Sequence, residues 1–205
     1  MLDADDLQFI REKIAVEVWG GFKDEDEVRK WVAAEPGVDD ESLVDELTAY
    51  VTQQFRQHRR REARWRKSTM NDSIDRAFDE MNLHGIVALQ NAGYTLSDGW
   101  SEAHQAADVL AAAARGAVFY HSQDLEAGVA GEGLMLAFGA FESDPLKRDS
   151  GSAAIGREVC DVLAANGVRA KWDGAVESRI EIPPFIWRKR RWTVAPDRQL
   201  PKIPL

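Results

Sequence analysis

Apolar residues recur every three to four positions at the start of the chain, at Leu7, Ile10, Ile14 and Val18, so a first helix has one apolar face, closed by Gly20 and Gly21. Asp24 with Glu27 three residues on forms a helix start, and Val28, Trp31 and Val32 supply the buried side until Pro36 and Gly37 stop it. A third helix begins near Asp39 or Asp40, carries Leu43, Leu47, Tyr50, Val51 and Phe55 at helical spacing, and continues into an arginine run as far as Lys67.

Beyond residue 70 helical and strand-like stretches alternate at short intervals, the pattern of a mixed unit. Asp72 opens a helix with Ile74, Ala77, Phe78 and Met81 inward and Gly85 as its stop. Residues 86–90 form a short strand, and Ser97 or Ser101 opens an alanine-rich helix that ends near Arg115. Residues 117–121 and 133–139 are further strands, 144–152 is a polar turn region, and a helix over 152–165 ends at Asn166 and Gly167. Strands near 168–172 and 178–182 follow, with Asp173-Gly174 as a hairpin signal, and Pro183 and Pro184 forbid further pairing. Two strand-to-strand connections are short. The expectation is therefore an α+β protein: a largely antiparallel sheet of about five strands with helices on one face (71–205), and a three-helix segment (1–70) docked on it.

The chain has 205 residues, a net charge of −9 and 44% hydrophobic residues, too apolar for disorder and long enough for a sizeable core. Its single cysteine, Cys160, excludes an internal disulfide and a cysteine zinc cluster. The first residues are acidic where a secretory leader is basic, and no apolar run is long enough for a membrane span, so a cytoplasmic protein is expected. Charge is unevenly placed. Residues 1–50 hold 5 basic and 15 acidic side chains, whereas 51–70 hold 7 and 1, which suggests that the two stretches pair with each other.

The segments GIVALQNAGYTLSDG (85–99), VFYHSQDLE (118–126) and LMLAFGAF (134–141), the Ile155-Gly156 pair, the Trp172 to Gly174 step, and SRIEI followed by WRKRRW carry a resemblance. In this order they resemble a bacterial family of uncharacterised proteins, over roughly 70–192, with the Trp19 to Phe22 stretch extending it. The resemblance implies kinship and brings no activity, cofactor or catalytic residue with it.

Two polar clusters are candidates for chemistry. His121, Gln123, Asp124 and Glu126 follow a strand; an imidazole with carboxylates in a loop suits a divalent cation or an acid/base pair, although the same residues also satisfy a turn. Asn91, Tyr94, Thr95, Ser97 and Asp98, with Gly93 and Gly99, lie between a strand and a helix start, where free amides attract an anion, although Ser97 or Asp98 also suits a helix cap. If the first two strands are neighbours, both clusters leave one edge of the sheet. The ligand-binding set is accordingly Asn91, Tyr94, Asp98, His121, Gln123, Asp124 and Glu126, with the catalytic residues, metal and cofactor left unassigned. The basic run at 56–67 spreads its seven cations over more than half a helix circumference, and the second run at 188–191 is far away in sequence. That dispersal and the acidic balance argue against nucleic acid. Seven tryptophans favour protein contacts, although for Trp187 and Trp192 packing of the tail within the chain is the preferred reading over a docking surface. With no catalytic triad legible, the expected function is a non-enzymatic interaction protein that binds another protein or itself. The alternative is a small-ligand or metal-binding protein, or an enzyme, with its site between 91–98 and 121–126.

Overall fold

A computed structural model describes residues 2–110 and 114–191, which divide into two compact units. The first is helical: α1 (Ala4–Gly20), α2 (Glu25–Ala34) and α3 (Glu41–Glu62), joined by the returning segment 188–191. Each helix starts on an aspartate whose carboxylate accepts from the first free amides: Asp3, Asp24 and Asp40. In α1 and α2 the bond is reciprocated by Asp6 and Glu27, the capping box expected at Asp24. Ile10, Ile14, Val18, Val28, Val32, Leu47, Val51 and Phe55 form the core of this unit. The third helix ends at Glu62, short of Lys67.

Helix α1 has no basic residue in its last turn. Its terminal carbonyls are met from the far end of the chain instead: Arg191 donates to Glu17 O at 3.3 Å and Val18 O at 2.5 Å.

The second unit contains α4 (Met70–Leu83), β1 (Ile86–Gln90), α5 (Leu96–Leu110), β2 (Gly116–Tyr120), α6 (Ser122–Ala130), β3 (Leu134–Ala140), α7 (Pro145–Ala165) and β4 (Ile180–Ile182). It is α+β, but the sheet has four strands in the order β1-β2-β3-β4 and is mixed, with β1 parallel to β2 and the other pairs antiparallel. Against the expected largely antiparallel sheet of about five strands, four strands form and one of their three pairings is parallel. The connection from β2 to β3 is a helix rather than a loop. The stretch 168–172 contributes only an isolated bridge between Lys171 and Glu181, because the Val168 amide is engaged in ending α7, donating to Leu163 O at 2.8 Å. Nor does 144–152 form a turn. Asp144 caps α7 and Pro145 takes its first position, where the missing amide proton costs nothing.

Helices also cover both faces rather than one. Ala117 and Phe119 pack with Val87, Ala103 and Trp100 on the α5 side. Tyr120 meets Phe78 of α4 on the other, and there a Cβ on Gly116 would press on Ile155 of α7. Alternation along the strands places Leu134, and with it α6, on this second face.

Both outer strands are shielded against further pairing. The Asn82 side chain accepts from Ala88 N at 2.9 Å and donates to Ala88 O at 3.1 Å, as a neighbouring strand would, and Lys171 exchanges two backbone bonds with Glu181 along β4.

Candidate functional site

The parallel pairing of β1 with β2, Gln90 opposite Tyr120, brings the two polar clusters to one sheet edge. The chain after β1 turns into α5 on one face, and the chain after β2 turns into α6 on the other. Backbone bonds join the two connections: Ala92 N donates to Tyr120 O at 2.9 Å and Ser122 N to Gly93 O at 3.0 Å. Ser122 Oγ lies 2.9 Å from both Asn91 Oδ1 and the Gly93 carbonyl, with one proton for the two. Asn91 holds φ 55°, a left-handed conformation that asparagine tolerates better than most residues.

HSQDLE is the start of a helix, not a loop. His121 is the N-cap of α6: its Nδ1 lies 3.4 Å from the Asp124 amide and 3.1 Å from Asp124 Oδ2, while that carboxylate accepts from His121 N at 3.1 Å. Both side chains are buried. Arg179, which precedes β4, donates to the same Asp124 oxygen at 2.5 Å and to the Met135 carbonyl. Sequence reasoning missed Arg179, since its partner lies 55 positions away and no local pattern links them.

Asp98 makes the equivalent cap on α5, accepting from Thr95 N at 2.9 Å and Thr95 Oγ1 at 2.8 Å. These bonds, with a smaller contribution from His121, hold its carboxyl below the ordinary value. A carboxylate thus stands in the first turn of each helix, bonded to the cap residue, as the capping alternative for these residues has it.

The edge therefore holds Asn91, Asp98, His121 and Asp124 with their polar atoms engaged locally: Asn91 with Ser122, Asp98 with Thr95, and His121 with Asp124. Tyr94 (54% exposed), Leu96 (44%) and Gln123 face solvent, and Glu126 is half-buried on α6. Among the described residues no three His, Cys, Asp or Glu side chains converge to hold a metal ion. At the opposite end of the sheet His104, Phe141, Glu142, Ser143 and Arg148 line an open groove, with the His104 ring centred 4.9 Å from that of Phe141 and tilted to it by 41°.

The tryptophans turn inward. None of the six described is exposed: Trp187 packs against Tyr120 and Gly128, Trp172 against Phe138, Trp100 against Phe119, and Trp19 and Trp65 flank His58. Trp192 lies outside the described residues. No helix of the described residues is long and apolar enough to cross a membrane.

Among known proteins, a family model described as a domain of unknown function (DUF6891) matches residues 3–191 and so takes in the N-terminal helices as well as the sheet. No curated protein and no solved structure matches the chain.

Proposed function

The chain belongs to the DUF6891 family of domains of unknown function, and from that premise we propose that it is a non-enzymatic interaction protein whose sheet edge at 91–98 and 121–126 contacts another protein chain. One observation carries this reading. The polar side chains of His121 and Asp124, buried, of Asn91 and Ser122, half-buried, and of Asp98, exposed, each bond to a neighbour, whereas the large side chains of Tyr94 and Leu96 stand exposed beside them on a capped scaffold. Shielding of both outer strands directs contact to side chains rather than to strand addition.

A photo-crosslinker in place of Tyr94 tests this. The expected result is a discrete adduct with a partner protein or a second copy, lost when Leu96→Asp is added. Labelling no stronger than from a crosslinker at exposed Glu177 overturns the reading.

A second reading, a small ligand or metal at the same edge, draws support from the divergence of α5 and α6 to opposite faces, since α/β sheets place ligands where neighbouring connections part in this way.

A further inference from the structure

Two basic runs far apart in sequence meet in the helical unit. Arg190 donates to the carbonyl of Arg66 and its guanidinium lies over the Trp65 ring at 6.0 Å, while Thr69 Oγ1 donates to Arg188 O at 3.0 Å. Residues 51–69 and 188–191 together hold eleven cations and one carboxylate, and that carboxylate, Glu62, is buried beside His58. Arg56, Arg59, Arg60, Arg61, Arg64, Arg66 and Lys67 are all exposed. The acidic stretch 1–50 shows ion pairs with its own cations, Arg11 to Glu46, Lys23 to Glu17 and Arg29 to Glu25. The sequence distance between the two runs, one of the grounds against nucleic acid, is closed by the fold.

Aromatic faces hold several of these cations in place: Arg61 lies 4.6 Å from the Trp19 ring, Lys189 4.7 Å from Phe22 and Arg191 4.6 Å from Phe55. Such fixing lowers the ordering cost of an encounter with a charged partner. Crowding like charges also opposes folding, an expense that a bound polyanion offsets. We propose that this basic end of the helical unit is a nucleic-acid-binding surface, contacting the phosphate backbone.

Side-chain chemistry favours nucleic acid over an acidic membrane or an acidic protein. Nine of the eleven cations are arginines, whose planar forks match phosphate oxygens two at a time and also read base edges. A membrane-surface helix needs an apolar face turned outward; here that face of α3, with Leu47, Val51 and Phe55, is buried in the core.

The test is fluorescence anisotropy on the full chain across a salt series, with labelled single-stranded RNA, duplex DNA, a poly-glutamate peptide and phosphatidylserine vesicles as probes. Binding to an oligonucleotide that weakens steeply with salt is expected. The exposed triple variant Arg60→Gln, Arg64→Gln and Lys67→Gln should weaken it about tenfold or more and flatten the log–log salt slope by about two, at about 0.7 per phosphate on a single strand. A control triple in the sheet unit, Lys147→Gln, Arg157→Gln and Arg169→Gln, removes the same charge and should bind as the parent does. Three outcomes overturn the proposal: no saturable oligonucleotide binding at the lowest salt, equal or tighter binding to vesicles or peptide, or equal loss in the control triple.

Discussion

Acidification from pH 6.5 to about 4 is expected to remove about 3 kcal/mol from the stability of the helical unit through one residue, His58. The imidazole is fully buried on α3, edge-on to Trp19 at 5.2 Å and Trp65 at 5.4 Å, and neither ring nitrogen has a hydrogen-bond partner. Burial, then the positive charges of Arg191 and Arg61, push its pKa from 6.5 down to about 4, with Glu62 Oε2 3.8 Å from Nδ1 as the opposing neighbour. The sign follows from proton counting. Above pH 6.5 both states are neutral at this site. Between 6.5 and about 4 the unfolded chain takes the proton and the folded chain does not, so stability falls with pH; below about 4 the loss is complete. Carboxylates titrate in part of the same range, so the informative quantity is a difference. His58→Leu keeps an apolar group of similar size and should abolish this share of the acid loss, read by hydrogen exchange on the amides of α3. Parallel pH curves for the two proteins contradict the account.

Asp124→Ala is expected to destabilise the sheet-bearing unit by about 4 kcal/mol. The substitution removes the carboxylate half of the α6 capping box, a contribution of about 1 kcal/mol, and strands Arg179. Breaking a buried ion pair costs about 3 to 5 kcal/mol, and the lower figure applies because the Arg179 side chain is 27% exposed and recovers some hydration. Asp124→Asn retains an acceptor for His121 N and should lose about half as much. Asp98→Ala removes an exposed cap of the same design and should cost much less than either. Urea unfolding followed by circular dichroism ranks the three; an Asp124→Ala protein as stable as the parent contradicts the structural role given to this edge.

What the sequence revealed was local. The caps at Asp24 and Asp40 and the stops at Gly21, Gly85 and Gly167 are decided within a few residues by backbone geometry, and they were legible. Strands β1, β2 and β3 were legible as apolar runs, but their directions depend on partners tens of residues away. HSQDLE reads as a loop where α6 joins the antiparallel β2 and β3, and the parallel run of β1 and β2 comes from the α5 crossover between them. That pairing is what brings 91–98 and 121–126 together, the condition on which the candidate site rested. Histidine is an uncommon cap, which hid the start of α6, and the Asp144-Pro145 start of α7 lay inside a stretch polar enough to pass for a turn. Arg179 and the return of 188–191 to the helical unit are long-range contacts with no periodicity to betray them.

The most direct measurement is the melting temperature of the full chain across divalent metals, nucleotides and phosphorylated metabolites, beside His121→Ala and Tyr94→Ala with Leu96→Ala. A ligand that binds only the folded state must raise it. If the polar groups of the edge serve as caps and the apolar ones as contact surface, no ligand in this set shifts the parent, His121→Ala melts lower, and the Tyr94/Leu96 variant melts with the parent. A clear upward shift with one compound, lost in His121→Ala, would contradict this account and establish the edge as a ligand site.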